Sequence, residues 1–202
     1  MESLKQYLQE RINKKNRKRL KNTTPSLICN NCLGGFIYHW LGLKFNSPFI
    51  NLYLEDNDFL LALENLEDFL ACDIKEVKNS YKDYPVGCGY MGIKIHFMHY
   101  ASFDEAYAKW NERKLRVDYN NIRVMMSNKD GYDDGVIERF DSLKYEKVIF
   151  VDKVYPQFKS AYYIKGLDHI RGKKNIYSTQ YINGKRYIDQ FDYVEFINGI
   201  CK

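Results

Sequence analysis

The residues equipped to act on a ligand fall into a few short stretches. The first, Asn30-Asn31-Cys32-Leu33-Gly34-Gly35, follows an apolar run and precedes a helical pattern. A strand entering a helix exposes backbone amides at the positive helix end, and glycine lets a ligand come close to the backbone. Asn30, Asn31, Gly34 and Gly35 therefore read as a loop for a phosphate or another anion. The plainer alternative is that the two glycines only let the helix pack on the sheet. No dinucleotide fingerprint is present, because the G-x-G-x-x-G spacing is missing. Cys32 sits where a helix start favours a thiolate. His96 or His99, at the end of a later strand, is the candidate general base.

A further stretch, Lys129-Asp130-Gly131-Tyr132-Asp133-Asp134, gathers acid at another strand end. Asp130 there can meet a sugar hydroxyl or a divalent ion, with Lys129 and Gly131 beside it as ligand contacts. A β-turn at Asp130-Gly131 followed by an aspartate helix cap explains the same residues. No metal site is expected. Cys29-x-x-Cys32 and His96-x-x-His99 have 63 residues between them, and an offset of three points two strand side chains to opposite faces. No cofactor can be named. Cys32-Leu33-Gly34-Gly35-Phe36 has a superficial likeness to the nucleophile region of papain-type cell-wall peptidases. The strong strand before Cys32 fits that fold poorly, and a packed or site-lining thiol is the other reading.

These residues must be carried by elements that the pattern outlines. Strands are expected at Ser26–Cys29, Phe49–Leu54, Ile93–His99, Ile122–Met126 and Lys147–Val151. Helices are expected over residues 2–21, from Phe36 to Leu41 with Gly42 as cap, and from Asp56 or Asn57 through Leu70. Others follow Ser102, where Ser102 and Glu105 form a capping box, Asp133 or Asp134, and Asp192. Unbroken apolar strands alternating with helices predict an α/β domain, a mostly parallel sheet flanked by helices. Asn183-Gly184 between alternating runs predicts a C-terminal β-hairpin over residues 176–188. In open sheets of this kind, ligands bind at the carboxyl ends of the strands. That is where the candidate loops fall.

The 202 residues carry a net charge of +5, and the distribution matters more than the total. Residues 1–22 hold eight basic side chains and two acidic ones, so the rest of the chain sums to −1. Two units are expected: a basic amphipathic helical arm at 1–22 and a single α/β domain at 23–202. Leu4, Leu8 and Ile12 followed by Lys14-Lys15-Asn16-Arg17-Lys18-Arg19 is a pattern of helices lying on anionic membranes, and peripheral membrane contact through residues 2–21 is one reading. A solvated helix packed on a neighbour is the other. No nucleic-acid partner is expected, since no recognition motif accompanies the basic run. Without a membrane span or a secretory signal, the protein is expected in the cytoplasm. Its five cysteines read as reduced thiols. The 18 tyrosines follow from AT-rich codons, with a sugar- or base-stacking surface as the alternative.

Several segments together resemble a bacterial family labelled exopolysaccharide biosynthesis protein. They are Asn30–Gly35 with its strand, Lys44-Phe45-Asn46-Ser47-Pro48-Phe49, Tyr84-Pro85-Val86-Gly87, Ile95–Tyr100 and Ser102 through Trp110 to Arg113. Asp130-Gly131 to Phe140 and Tyr155-Pro156 complete the likeness, which spans residues 22–198 and leaves the basic helix outside. Members are associated with capsule and exopolysaccharide gene clusters. The resemblance implies a role in surface-polysaccharide synthesis, by glycosyl transfer or saccharide modification. The substrate would be a sugar nucleotide or a lipid-linked sugar. A non-catalytic adaptor of that machinery is the alternative, and a cysteine-dependent hydrolase a third.

Overall fold

A computed structural model describes residues 2–78 and 82–199. The chain opens with helix α1 (Glu2–Arg19), then β1 (Ser26–Cys29) and α2 (Leu33–Leu41). Next come α3 (Asp56–Glu64), α4 (Leu66–Ala71), β2 (Lys75–Glu76), β3 (Val86–Cys88), β4 (Lys94–His96) and α5 (Phe103–Lys114). The second half runs β5 (Ile122–Ser127), α6 (Asp134–Asp141), β6 (Lys147–Val151), β7 (Ala161–Tyr163), α7 (Leu167–Ile170) and α8 (Tyr193–Asn198). Strands β1, β5, β6 and β7 form one sheet in that order, every neighbouring pair parallel. The three short strands form a separate antiparallel sheet, β2-β3-β4.

The strands are apolar throughout because both sheet faces are covered, as parallel sheets require. Ile28, Val124, Met126, Ile149 and Val151 pack on one face with α3, α4 and the Phe49–Phe69–Phe97–Trp110 ring cluster. Leu27, Cys29, Met125, Val148 and Phe150 pack on the other with α2, α8 and the C-terminal segment. Successive residues along each strand thus serve opposite cores.

Several elements depart from the expected pattern, each for a local reason. Phe49–Leu54 pairs only through Tyr53 with His96 and is not a strand. Its Asn51 adopts φ +60°, a left-handed kink that sends Ile50 into one core and Phe49, Leu52 and Leu54 into the other. The long helix through Leu70 is two helices, broken at Asn65, whose side chain donates to the Leu61 carbonyl at 3.0 Å. The β4 strand is shorter than Ile93–His99 and pairs antiparallel with β3, which lies in the stretch of Pro85, Gly87 and Gly89. A Cβ at Gly87 would sit 2.5 Å from the Ile74 side chain, so only glycine lets this small sheet close. The Ser102 cap forms as expected, but Glu105 reaches back to the Ala101 amide, one residue short of a reciprocal box. Residues 176–188 make a turn at Gly184 with a single bridge, Gln180 to Arg186, and no hairpin ladder.

Arg186 explains that last difference. Its side chain turns inward, only 2% exposed, to stack 3.5 Å from the Trp40 ring centroid and pair with Asp189. It also donates to Asn13 Oδ1 at 2.9 Å, while Asn16 of the same helix donates to the Tyr193 hydroxyl at 2.8 Å. Arg17 donates to the Trp40 carbonyl, and Arg19 pairs with Asp192. The helix expected as a separate arm is therefore docked on α2 and the C-terminal segment. Cys29, Cys32, Cys72 and Cys88 are unpaired, and Cys201 lies outside the described residues.

Removing one member of a buried ion pair strands the other, at a cost of about 3–5 kcal/mol. Arg186→Met is expected to lower unfolding stability by that order in urea titration. Arg186→Met combined with Asp189→Leu should recover much of the loss.

Candidate functional site

Strand β1 ends in two asparagines that lock it to the end of β5. Asn30, fully buried, donates to the Ser127 carbonyl and accepts from the Ser127 amide, both at 3.1 Å. Its own carbonyl accepts from Leu54 at 2.9 Å. Asn31 donates to the Ser127 carbonyl at 2.6 Å and to its hydroxyl at 2.9 Å, and accepts from the Leu33 amide at 3.0 Å. It thereby caps the start of α2 in place of Cys32, whose side chain makes no cap bond.

A cleft of about 570 Å³ opens at this junction. Asn31, Cys32 and Phe36 line it from the β1 side, and Ser127, Asn128, Lys129 and Asp130 from the β5 side. Tyr53, Tyr84, Met98, His99, Asn175 and Tyr177 complete the wall. Phe36 and Tyr177 stack with ring centroids 5.1 Å apart. A smaller annex of about 330 Å³ shares Cys32, Phe36 and His99 and adds Gly35, His39, Phe45 and Asn51. Four residues that the sequence placed in three separate loops, Asn31 and Cys32, His99, and Asp130, thus share one cleft.

Other expected ligand residues lie elsewhere. The Asn30 amide is engaged at both ends by Ser127 and is fully buried, so it does not line the cleft. Gly34 is buried against β1: its amide meets the Cys29 sulfur, and a Cβ added there would sit only 3.0 Å from that atom. With the Leu33 amide held by Asn31 as well, two amides of the first turn of α2 are spent on protein partners rather than left for an anion. Gly131, at φ +80°, is a turn residue under the Arg171 guanidinium, which donates to the Asp130 carbonyl at 2.7 Å. His96 is buried behind the rings of Tyr53 and Tyr84, and burial lowers its pKa. His99 is exposed at the cleft and is the imidazole placed to meet a ligand there.

Sequence reasoning passed over the aromatic lining. Tyr53, Tyr84 and Tyr177 are far apart in the chain and share no motif; the tyrosine count was the one signal, and codon usage accounts for it equally well. It also passed over Asp56. That carboxylate accepts from Asn128 at 2.8 Å through Oδ2, while its Oδ1 is buried without a partner. Burial raises its pKa to about 6; the Asn128 hydrogen bond opposes the rise, and Glu55, Asp133 and Asp130 add repulsion. The Cys32 thiol is only 7% exposed, and burial pushes its pKa up, the reverse of what a nucleophile needs.

A carboxyl raised from 3.8 to about 6 binds its proton more tightly in the folded state, so stability falls as pH rises across that window. Asp56→Asn keeps the acceptor for Asn128 and does not titrate. Its stability relative to the parent should improve by up to roughly 3 kcal/mol between pH 4 and 7, read from urea midpoints at each pH. At pH 7.5, Cys32 should react with iodoacetamide on the order of ten-fold more slowly than the half-exposed Cys72, measured by peptide mass spectrometry.

Comparison with known proteins places the chain without naming its chemistry. An uncharacterized protein of Haemophilus influenzae is 44% identical over 188 residues, covering 93% of this chain and 90% of that protein. Residues 3–198 match the family described as Domain of unknown function (DUF1919), a span that takes in the basic helix α1 as well as the α/β body. On the strength of that match, the chain belongs to the DUF1919 family.

Proposed function

We propose that the cleft binds a saccharide, presented as a sugar nucleotide or a lipid-linked sugar, in the synthesis of surface polysaccharide at the cytoplasmic face of the membrane. The observation that carries this reading is the composition of the cleft wall. The wall combines the rings of Phe36, Tyr53, Tyr84 and Tyr177 with the polar groups of Asn31, Asn175, His99, Lys129 and Asp130. Pyranose rings have the same two-sided character: apolar C–H faces that suit aromatic rings, and a rim of hydroxyls that suits amides and carboxylates. The likeness to exopolysaccharide biosynthesis proteins supports the same substrate class.

The roles follow from what each group can do. Asp130 accepts hydrogen bonds from sugar hydroxyls, and Lys129 offers the positive charge a phosphate needs. With the Leu33 and Gly34 amides already engaged, that lysine is better suited to phosphate than the Asn30–Gly35 backbone. His99 takes the proton from an attacking hydroxyl as glycosyl transfer proceeds. Cys32 lines the wall as a neutral thiol.

Titration with uridine-, guanosine- and cytidine-linked sugars, followed by thermal shift, tests this. A ligand at 100-fold its Kd adds about 2.7 kcal/mol, which for a chain of this size raises Tm by roughly 5–10 °C. Tyr177→Ala and Asp130→Asn should abolish that rise, while His99→Ala should keep it and lose turnover. A flat response to every sugar nucleotide, and to oligosaccharides, would overturn the reading in favour of a non-catalytic adaptor.

A further inference from the structure

Docking of α1 divides its surface by function. Asn13, Asn16, Arg17 and Arg19 face the body and hold the helix there. Leu4, Tyr7, Arg11, Lys14, Lys15 and Lys18 recur every three or four residues, so they share the opposite face, and all are exposed. Leu4 and Tyr7 are each 60% exposed, at one end of this stripe. The four basic side chains follow at the other end, with Lys21 just beyond the helix. Glu10, on the flank, is paired with Arg17 and only partly offsets the stripe, through Lys14.

We infer that this outer face of α1 docks the protein on an anionic lipid surface. Charge complementarity is the argument. Arg11, Lys14, Lys15 and Lys18 on the exposed band, with Lys21 beyond it, form no salt bridge among the described residues, although the body beyond residue 22 sums to −1. The apolar pair at the end of the stripe adds the second element of interfacial helices, a side chain able to enter the headgroup layer. No helix among the described residues is long and apolar enough to cross a membrane, so the contact is peripheral. The inference is independent of what the cleft binds.

The full-length protein floated with vesicles of phosphatidylglycerol and phosphatidylcholine in 0.1 M salt tests it. Binding is expected to the mixed vesicles, to be absent from phosphatidylcholine alone, and to be lost in 0.5 M salt. Each basic side chain near such a surface contributes about five-fold in partition, so Lys14→Gln, Lys15→Gln and Lys18→Gln together should weaken binding roughly 100-fold. The matching triple Lys→Arg protein should bind as the parent does. Failure of the parent to float, equal binding to neutral vesicles, or binding insensitive to both salt and the glutamine variant would each overturn the proposal. So would capture of a polynucleotide of the same charge without vesicle binding.

Discussion

Everything at the candidate site hangs on the side-chain amide of Asn30. Where two parallel strands end and their chains diverge, the last backbone groups lose their ladder partners, and buried groups of that kind must be satisfied. Asn30 supplies a peptide-like donor and acceptor to Ser127, in effect one more rung between β1 and β5. Its own carbonyl then holds Leu54, and the neighbouring Tyr53 bridges to His96. One residue therefore ties the parallel sheet to the segment that anchors the small antiparallel sheet. The cleft is the space these tied segments leave between them, and its shape is set by buried polar bonds rather than by the side chains facing it.

That arrangement accounts for how much was legible in the sequence. The strands β1, β5 and β6 announce themselves as apolar runs, because two covered faces demand it, and the loop after β1 stands out by its Asn and Gly residues. The same types serve ligands and structure alike. Asn31 faces the cleft while Asn30, one residue earlier, is consumed by Ser127; nothing in the letters separates them. Gly34 is needed for packing against the Cys29 sulfur, and Gly35 borders the annex. The tyrosines of the wall are dispersed from position 53 to position 177 and meet only after folding. Local pattern has no access to such a meeting. Nor does it show β3, whose Gly87 reads as loop until Ile74 and Phe97 are seen pressing on it.

Burial also reassigns the chemistry of individual groups. A cysteine beside a helix start reads as reactive, yet the Leu33 amide is taken by Asn31 and the thiol is enclosed, so the dipole argument loses to desolvation. Asp56 is the converse: an ordinary helix-start aspartate by sequence, it has its pKa raised to about 6 by burial, with three nearby carboxylates adding to the rise against the opposing Asn128 hydrogen bond. In both cases the deciding term is the cost of charge in a dry setting, which sequence position alone does not reveal.

The partners of α1 have a consequence for the order of events when the chain is made. Asn16 and Tyr193 are 177 positions apart, and Asn13 reaches Arg186 across 173. Helix α1 is thus placed only after residues more than 170 positions later have been made. Contacts so distant along the chain form late, since loop closure is costly before other structure shortens the loop. Until those residues emerge, the inner face of α1, with its asparagines, waits without its seat while the basic outer face is already complete.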